Sequence, residues 1–454
     1  MMELEFELNE MQKEVVRLKE EGKNDKIILD ADTGSGKTEA ILLGINEGST
    51  VDWMLPTISS CIFMYRRLCH DFPDLNIEVL TSIMKERRYV ENPLFSIRIY
   101  TPDPAMISYI TGVLDGKYYT STSQSLVLDE LDNYPEMVRA VLDNYINTIK
   151  LDQIIVASAT MDENMKSTFD SLGFNTITYR RDNCIKFKYD IIDGQHDICG
   201  LKRMLDEHLY KRRIVCICNA ICNMETLAED LSTANPEINW EISESSRFIY
   251  LHSNLSLAER DIVEKKIFEN DYDILISNDL IAFSIDFDAK VGLVEITDKM
   301  NVNVQRLGRF NRRNLPVSYK NLYIVDGSYK PGFIDSYDAR ENEEFFLNKS
   351  SYTLTNSDWS KMRESIKLDT ISYDDTVDFV SNQIKLELPV KLRDVPVSFL
   401  VPITTTVSKG KKKNKKKITV NTHKIIKWGS EFPWAALPCS IENGPKDLVD
   451  WGLS

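Results

Sequence analysis

Short apolar runs alternate with longer stretches whose apolar residues recur at helical spacing along most of the chain. This alternation predicts parallel β-sheets joined by crossover helices, and it occurs in two halves. The strands predicted for the first half are Lys26–Asp30, Val51–Leu55, Ser96–Tyr100, Ser125–Leu128 and Gln153–Ala157. Those predicted for the second half are Arg213–Cys218, Arg247–Leu251, Asp273–Ser277, Gly292–Ile296 and Asn321–Val325. We therefore expect two α/β domains of ordinary size, 1–183 and 184–330.

From residue 331 the pattern changes, because the alternation of strands and helices stops. Two apolar stretches, Val395–Val407 and Lys417–Trp428, flank a run from Lys409 to Lys417 that holds seven lysines in nine residues. We predict an accessory domain over 331–454 with a Lys-rich hairpin tip. We interpret the lysine run as a loop that contacts phosphate, with a partner contact or a disordered tip as alternatives.

Composition narrows the classes of function. A hydrophobic content of 43% suits a globular protein, and no apolar run is long enough to span a membrane. The acidic, amphipathic N-terminus is not typical of a secretory signal, and the 8 scattered cysteines fit a cytoplasmic protein. The net charge of −15 argues against coating nucleic acid over the whole surface, but it permits a strand in a local groove.

The clearest chemical signal follows the first predicted strand, in the sequence DADTGSGKT at 30–38. Glycines there let successive N–H groups point at one anion, and the following helix adds its positive N-terminal end. Lys37 is placed to reach the β- and γ-phosphates of a nucleotide, and the Thr38 hydroxyl to hold Mg²⁺. Ala31 stands where the usual pattern begins with Gly, and an ordinary strand-to-helix turn is the alternative. The predicted phosphate loop comprises Thr33, Gly34, Ser35, Gly36, Lys37 and Thr38.

A second element of the same chemistry is the strand that ends in Asp129 and Glu130. At the carboxyl edge of a parallel sheet these carboxylates would face the phosphate loop. Asp129 is predicted to hold Mg²⁺ through water, and Glu130 to position and deprotonate the attacking water. The hydroxyls of Ser158 and Thr160 are placed either to bond to the nearby Asp132 or only to cap a strand-end turn.

The late sequence QRLGRFNRR at 305–313 is the most specific signal in the second half. Its spacing places Arg306, Arg309 and Arg312 on one face of a helix. A row of cations facing a phosphate loop can stabilise the charge that develops on a γ-phosphoryl group. The alternative is a solvated basic helix end.

In this order, the blocks resemble those of superfamily 2 DExD/H-box helicases, and among them the helicase part of the CRISPR type I effector nuclease-helicase. The resemblance covers about residues 10–330 and implies two tandem RecA-like domains with ATP and Mg²⁺ in the cleft between them. It also rests on Leu55-Pro56-Thr57, Met64–Leu68, Cys218-Asn219, Leu251-His252-Ser253 with Arg260, and Leu275–Asp279 followed by 284–288.

The resemblance implies a role for each matching position. Gln12 corresponds to the adenine-reading glutamine ahead of the phosphate loop, and Asp286 lies in a block that links nucleotide and strand. Gln305, Arg309 and Arg312 would complete the ATP site from the second half, beside the catalytic Lys37, Asp129 and Glu130. The blocks that usually contact the nucleic-acid backbone contain Thr57, Thr101, Asp103, Asn219, His252 and Ser277.

The chain also departs from the family pattern. Asp132 stands where the family more often has His, Asn278 where it has Gln, and Ala282 where it has Glu. These changes spare the catalytic groups and concern the coupling of hydrolysis to movement. The effector nuclease-helicases usually carry an N-terminal nuclease domain, whereas here the phosphate loop begins at Asp30, so we expect the nuclease on a separate polypeptide.

The resemblance implies an ATP-dependent translocase on single-stranded nucleic acid, DNA rather than RNA, moving 3′ to 5′. Its expected setting is a CRISPR type I or similar defence complex, with a separate nuclease subunit as partner and no membrane. One alternative is a viral or cellular helicase of the same superfamily acting on DNA or RNA. The other is a nucleic-acid-stimulated ATPase switch that does not unwind.

Overall fold

A computed structural model provides the fold. It describes residues 7–32, 34–116, 123–180, 187–193, 197–252, 255–281, 289–310, 319–326, 353–354, 358, 361–363, 365–366, 368, 370–385, 398–409 and 416–427. Within these residues, no helix is both long enough and apolar enough to cross a membrane.

The first half alternates strands and helices, as the sequence predicts. Its elements are α1 (Glu10–Glu20), β1 (Lys26–Ala31), α2 (Lys37–Gly44), β2 (Thr50–Met54), α3 (Ile58–Asp71), β3 (Asn76–Leu80), β4 (Lys85–Arg88), β5 (Ser96–Tyr100), α4 (Asp103–Leu114), β6 (Ser125–Asp129), α5 (Glu136–Thr148), β7 (Gln153–Ser158), α6 (Glu163–Ser171) and β8 (Asn175–Tyr179). A single turn of 3₁₀ helix, Leu131–Asn133, follows β6.

The strands of the first half form one sheet in the order β4-β3-β5-β2-β6-β7-β1-β8. All neighbours are parallel except β3 and β4, which are antiparallel at one edge. Ile27 and Leu29 pack into the core on one face of the sheet, and Ile28 into the core on the other. Burial on both faces explains why these strands read as continuous apolar runs.

The second half repeats this architecture. Its elements are β9 (Phe187–Asp193), α7 (Ile198–His208), β10 (Ile214–Ile217), α8 (Ile221–Ala234), β11 (Phe248–Leu251), α9 (Leu257–Glu269), β12 (Ile274–Ser277), β13 (Val291–Glu295), α10 (Met300–Leu307) and β14 (Leu322–Asp326). These strands pair in parallel in the order β11-β12-β10-β13-β14-β9. All ten predicted strands are confirmed, each within one residue at either end.

The described residues after 331 do not form one separate unit. The short strand β15 (Thr353–Leu354) extends the second sheet by pairing antiparallel with β9, and Met362 packs into the core of that half. The helix α11 (Tyr373–Lys385) instead packs on α4 and α5 of the first half through the buried Val380. The described residues between 353 and 385 therefore contact both halves, and the predicted accessory domain and the boundaries at 183 and 330 stay predictions.

A long antiparallel hairpin follows, formed by β16 (Ser398–Lys409) and β17 (Lys416–Lys427). It confirms the two predicted strands on either side of the lysine run. Its tip, 410–415, lies outside the described residues, so the predicted phosphate contact of that run stays a prediction.

The two halves contact each other directly between α3 and α9. Arg66 on α3 forms an ion pair with Asp261 on α9, with 2.8 Å between Nη2 and Oδ1. Arg260, also on α9, donates to the hydroxyl of the fully buried Ser59 on α3. Phe63 of α3 packs into the core of the second half. These contacts hold the carboxyl ends of the two sheets close to each other.

Gly292 on β13 provides a test of the packing in the second half. A methyl group at this position would lie 2.7 Å from the ring of Phe310, which is fully buried. We expect Gly292→Ala to lower the free energy of unfolding by about 1–3 kcal/mol, because a closed core tolerates overpacking poorly. Chemical denaturation would measure this loss, and Phe310→Leu in the Gly292→Ala background should recover part of it. An unfolding curve like that of the wild type would contradict this packing.

Candidate active site

The loop between β1 and α2 has the geometry of an anion cradle. Gly34 has a φ of 69° and Gly36 a φ of 87°, both in the left-handed region that favours glycine. A Cβ atom at Gly36 would also lie 2.6 Å from the Gln12 amide nitrogen, so a side chain at this position would be strained by the positive φ and would displace the Gln12 amide. The helix α2 begins immediately afterwards at Lys37. Thr33 lies outside the described residues.

Helix α1 is tied to this loop by its first turn. Asn9 and Gln12 form a reciprocal capping box, and each amide group also reaches the loop. Asn9 Nδ2 donates to the carbonyl oxygen of Ser35 at 2.8 Å, and Gln12 Nε2 donates to that of Gly36 at 3.3 Å. Sequence reasoning found Gln12 and missed Asn9, although an Asn three residues before a Gln is itself a capping signal. Adenine recognition by Gln12 stays a prediction.

Lys37 lies buried at the base of the loop. Its Nζ donates to the carbonyl oxygens of Ala31 at 3.0 Å and Asp32 at 3.3 Å. Burial is the main cause that lowers its pKa, and Arg309 also lowers it, while the carboxylates of Glu130 and Asp129 act in the opposite direction. The Thr38 hydroxyl accepts a hydrogen bond from Arg67 Nη1 at 3.4 Å. Lys37 and Thr38 therefore both line the predicted phosphate site.

Asp129 ends β6 within the sheet core, and Glu130 follows it in a left-handed conformation with φ 54°. A non-glycine residue in this region is typical of strain held at a functional site. Trp53 Nε1 donates to Asp129 Oδ2 at 3.4 Å, a contact that the sequence did not predict. Burial, followed by the charge of Glu130, raises the pKa of Asp129 to about 7.

Asp132 is the centre of a buried hydrogen-bond network that crosses the two halves. The hydroxyls of Ser158 and Thr160 both donate to its carboxylate. Gln305, from the second half, donates through Nε2 to Asp132 Oδ2 at 2.5 Å and to Thr160 Oγ1 at 3.2 Å. Of the two interpretations of these hydroxyls, bonding to Asp132 is confirmed, and Thr160 N–H also bonds to Ser158 Oγ within the turn.

Arg309 and Arg306 face different ways, contrary to the predicted row on one helix face. Helix α10 ends at Leu307, so Arg309 follows the helix, and its Nη2 lies 3.7 Å from Glu130 Oε1 of the first half. Arg306 turns into the second half, where it donates to Asp279 Oδ1 and Asn219 Oδ1, each at 2.7 Å. The prediction that Arg306 faces the phosphate loop is therefore wrong. Arg312 and Asp286 lie outside the described residues.

The site has the donors and acceptors that ATP and Mg²⁺ require. Ser35 Oγ, Glu130 Oε2 and Gln305 Oε1 are buried polar atoms without a hydrogen-bond partner among the described residues. Buried polar atoms are almost always partnered, so these three fit a site that is completed by a nucleotide and its water. Carboxylate and hydroxyl oxygens are ligands that Mg²⁺ prefers, which suits Asp129 and Thr38.

The residues assigned to a nucleic-acid strand follow the carboxyl ends of strands in both sheets. In the first half, Thr57 caps α3 by accepting from the N–H of Ser60 at 3.0 Å, and Asp103 begins α4 two residues after Thr101. Because β2 and β5 are neighbours in the sheet, the segments that follow them reach the same edge. Strand contact by Thr57, Thr101 and Asp103 stays a prediction.

In the second half, the corresponding residues have different environments. His252 stacks on Tyr250 with 5.4 Å between the ring centroids and 7° between the planes. Asn219 binds the carbonyl oxygen of Ile296 at 3.0 Å through Nδ2. Ser277 is fully buried, and its hydroxyl donates to the Leu251 carbonyl oxygen. The Ser277 hydroxyl thus supports the fold of its block, and strand contact by Asn219, His252 and Ser277 stays a prediction.

The raised pKa of Asp129 predicts a pH-dependent effect on stability. The folded-state pKa of about 7 lies above the usual value of 3.8, so the free energy of unfolding falls as the pH rises from about 3.8 to about 7 and stays at its lower value above that. In EDTA, Asp129→Asn should raise the free energy of unfolding by on the order of 2 kcal/mol at about pH 8 and much less at about pH 5. Denaturant titrations at both pH values would measure this. Asp152→Asn, at an exposed site, is the control, and an equal effect at both pH values would refute the assignment.

Comparison with known proteins is consistent with this site. Residues 9–168 match the DEAD/DEAH box helicase family, and residues 210–315 match the family of the C-terminal part of the CRISPR-associated nuclease/helicase Cas3. The chain is 26% identical over 332 residues to the CRISPR-associated nuclease/helicase Cas3 of Methanothermobacter thermautotrophicus, covering 63% of this chain and 38% of that protein. It is 24% identical over 399 residues to the ATP-dependent DNA helicase MER3 of Saccharomyces cerevisiae, covering 71% and 32%. The chain spans about a third of the length of these two relatives.

Solved structures share the fold. The DUF1998 helicase MrfA bound to DNA has a TM-score of 0.57 at 14% identity, covering 92% of this chain and 65% of that one. Dbp5 of S. cerevisiae, bound to RNA and ADP BeF3, has a TM-score of 0.53 at 16% identity, covering 84% and 93%. These neighbours are tandem RecA-like helicases, which confirms the predicted fold class. The two family matches follow the order of the two halves: the first half carries a DEAD/DEAH box helicase domain, and the second half matches the family of the Cas3 C-terminal part.

Proposed function

We propose that this protein is an ATP-driven translocase that moves along single-stranded nucleic acid, with DNA as the favoured strand and 3′ to 5′ as the direction. The observation that carries the proposal is the closed contact between the halves at the nucleotide site. Gln305 binds Asp132 across the cleft, and Arg309 approaches Glu130 there. A site completed by both halves makes their relative position depend on the nucleotide.

Under this proposal, each of these side chains has a part in hydrolysis. Lys37 and the loop N–H groups hold the β- and γ-phosphates, and bound Mg²⁺ supplies further charge neutralisation. Glu130 accepts a proton from the water whose oxygen attacks the γ-phosphorus, while the bond to the β–γ bridging oxygen breaks and ADP leaves. Arg309 lies beside Glu130, where it offsets the charge that develops on the transferred group.

Loss of the γ-phosphate removes the anion that Arg309 and Lys37 share, so the contact between the halves weakens after hydrolysis. The carboxyl ends of both sheets then shift relative to each other, and a strand gripped by both is moved by one step. Most of the binding energy for the strand would come from phosphate contacts, so affinity should fall with added salt.

The CRISPR setting and the separate nuclease subunit are part of the same proposal. They are supported by the match of residues 210–315 to the Cas3 C-terminal family and by the Cas3 relative. DNA is favoured because MER3 is described as a DNA helicase and MrfA is bound to DNA, whereas Dbp5 is bound to RNA. An ATPase switch that remodels a partner without unwinding remains the alternative from another class.

ATP hydrolysis should be stimulated severalfold by single-stranded DNA, and less by single-stranded RNA of the same length. The physical reason is that a strand bridging both halves favours the closed site. Steady-state phosphate release would measure the rates, with Lys37→Ala as the blank. Stimulation by RNA alone would replace the DNA proposal with an RNA helicase. Hydrolysis indifferent to both strands would refute translocation and favour the switch.

Arg309→Ala should lower kcat for ATP by about 10³-fold and change KM little, as expected for an arginine that acts mainly on the transition state. The matched control is Arg212→Ala, because Arg212 stacks on Tyr319 with 3.8 Å to the ring centroid and precedes the amino end of β10, away from the cleft. Steady-state kinetics of both variants would test the assignment. A kcat for Arg309→Ala within a few-fold of the wild type would remove Arg309 from this role.

A further inference from the structure

Arg363 belongs to no predicted block, yet its side chain enters the nucleotide site. It is 12% exposed and lies against the two aspartates that flank the end of β1. Its guanidinium donates to Asp32 Oδ1 and to the Ala159 carbonyl oxygen, and it lies 3.4 Å from Asp30 Oδ1. A single arginine from the C-terminal region thus touches two separate walls of the site.

The two walls are the phosphate loop and the turn after β7. Asp32 lies in the phosphate loop, and its carbonyl oxygen accepts a hydrogen bond from Lys37 Nζ at 3.3 Å. Ala159 lies between the two hydroxyl residues that bind Asp132. The fork of a guanidinium suits this position, since its N–H groups reach a carboxylate and a carbonyl at the same time. A shift of Arg363 would therefore disturb both walls.

The backbone that carries Arg363 is anchored on the other half of the protein. Its neighbours Met362 and Ile366 are buried in the core of the second half, together with Leu354 of β15. The chain then crosses to the first half, where α11 packs. The Arg363 side chain consequently reaches from a backbone held by the second half to the phosphate loop of the first half. Gln305 also crosses between the halves at this site.

The position also has a strong electrostatic character. Asp30 is 1% exposed and receives Arg180 at 2.6 Å and Lys166 at 3.3 Å in addition to Arg363. Asp32 is 8% exposed and lies in the loop that the triphosphate would occupy. Removing the guanidinium would leave Arg180 and Lys166 beside Asp30 but would make the surroundings of Asp32 more negative next to a polyanion, which disfavours nucleotide binding.

We propose that Arg363 is a positioning residue for ATP hydrolysis. It holds the phosphate loop and the turn at Ala159 in a fixed position relative to each other, and it offsets the charge of Asp32 next to the bound triphosphate. It links the C-terminal region to the nucleotide state. The role concerns the ATP site alone and does not depend on the strand or on the CRISPR setting proposed above.

The test is a double-mutant cycle on nucleotide binding, measured by fluorescence of a mant-labelled ADP and ATP without any nucleic acid. Arg363→Ala should weaken binding by about 10-fold, the effect of one partly compensated charge. Asp32→Asn in the Arg363→Ala background should recover most of that loss. Failure of the double variant to recover affinity, or wild-type binding by Arg363→Ala, would overturn the proposal.

A second variant separates the charge of Arg363 from its contacts with two groups at once. Because it is a conservative substitution, it also serves as a check that a loss of activity does not come from misfolding. Arg363→Lys keeps the charge and loses the fork, so it should bind nucleotide within about 2-fold of the wild type and still show a lower kcat. Arg247→Ala is the control, since Arg247 also pairs with two aspartates, Asp271 and Asp273, at a half-exposed surface. Equal kcat values for Arg363→Lys and the wild type would refute the positioning role.

Discussion

The burial of carboxyl groups at the carboxyl end of β6 is the constraint on which the rest of the site depends. Asp129, Glu130 and Asp132 lie within four residues of each other and are nearly inaccessible to solvent. Water would normally solvate these charges, so the protein must replace it with fixed donors and cations. Burial, followed by the charge of Glu130, raises the pKa of Asp129, so these donors and cations replace the water only in part. An incompletely compensated group of this kind is prepared for a cationic ligand.

The compensating groups come from both halves of the protein, so the compensation of the buried carboxylates depends on how the two halves are placed. The donors Trp53, Ser158 and Thr160 lie in the first half, as the carboxylates do, so their hydrogen bonds do not depend on the position of the second half. Gln305 and Arg309 serve them only when the halves are closed. Opening the cleft would thus expose buried charges to water, and closing it would bury them again. The free energy of nucleotide binding can act on this balance.

Arginines perform different tasks in this cleft according to what surrounds them. Arg309 faces the carboxylate of Glu130, whereas Arg306 holds Asn219 and Asp279 in place within the second half. Arg363 adds a third arrangement, a side chain that joins the phosphate loop to the turn at Ala159. Each guanidinium uses its planar fork to hold two groups at once or to face a developing charge. A lysine would supply the charge in each case without fixing the geometry.

The sequence by itself determined the features that are encoded by neighbouring residues. The ten strands, the phosphate loop and the acid pair after β6 were predictable because burial on both faces of a sheet, glycine conformation and strand-end carboxylates leave local patterns. The tertiary structure alone decided that Arg306 turns away from the loop, that Trp53 reaches Asp129, and that Arg363 enters the site across the two halves. These contacts join residues far apart in the chain, and the direction of a side chain depends on packing, which spacing in the sequence does not encode.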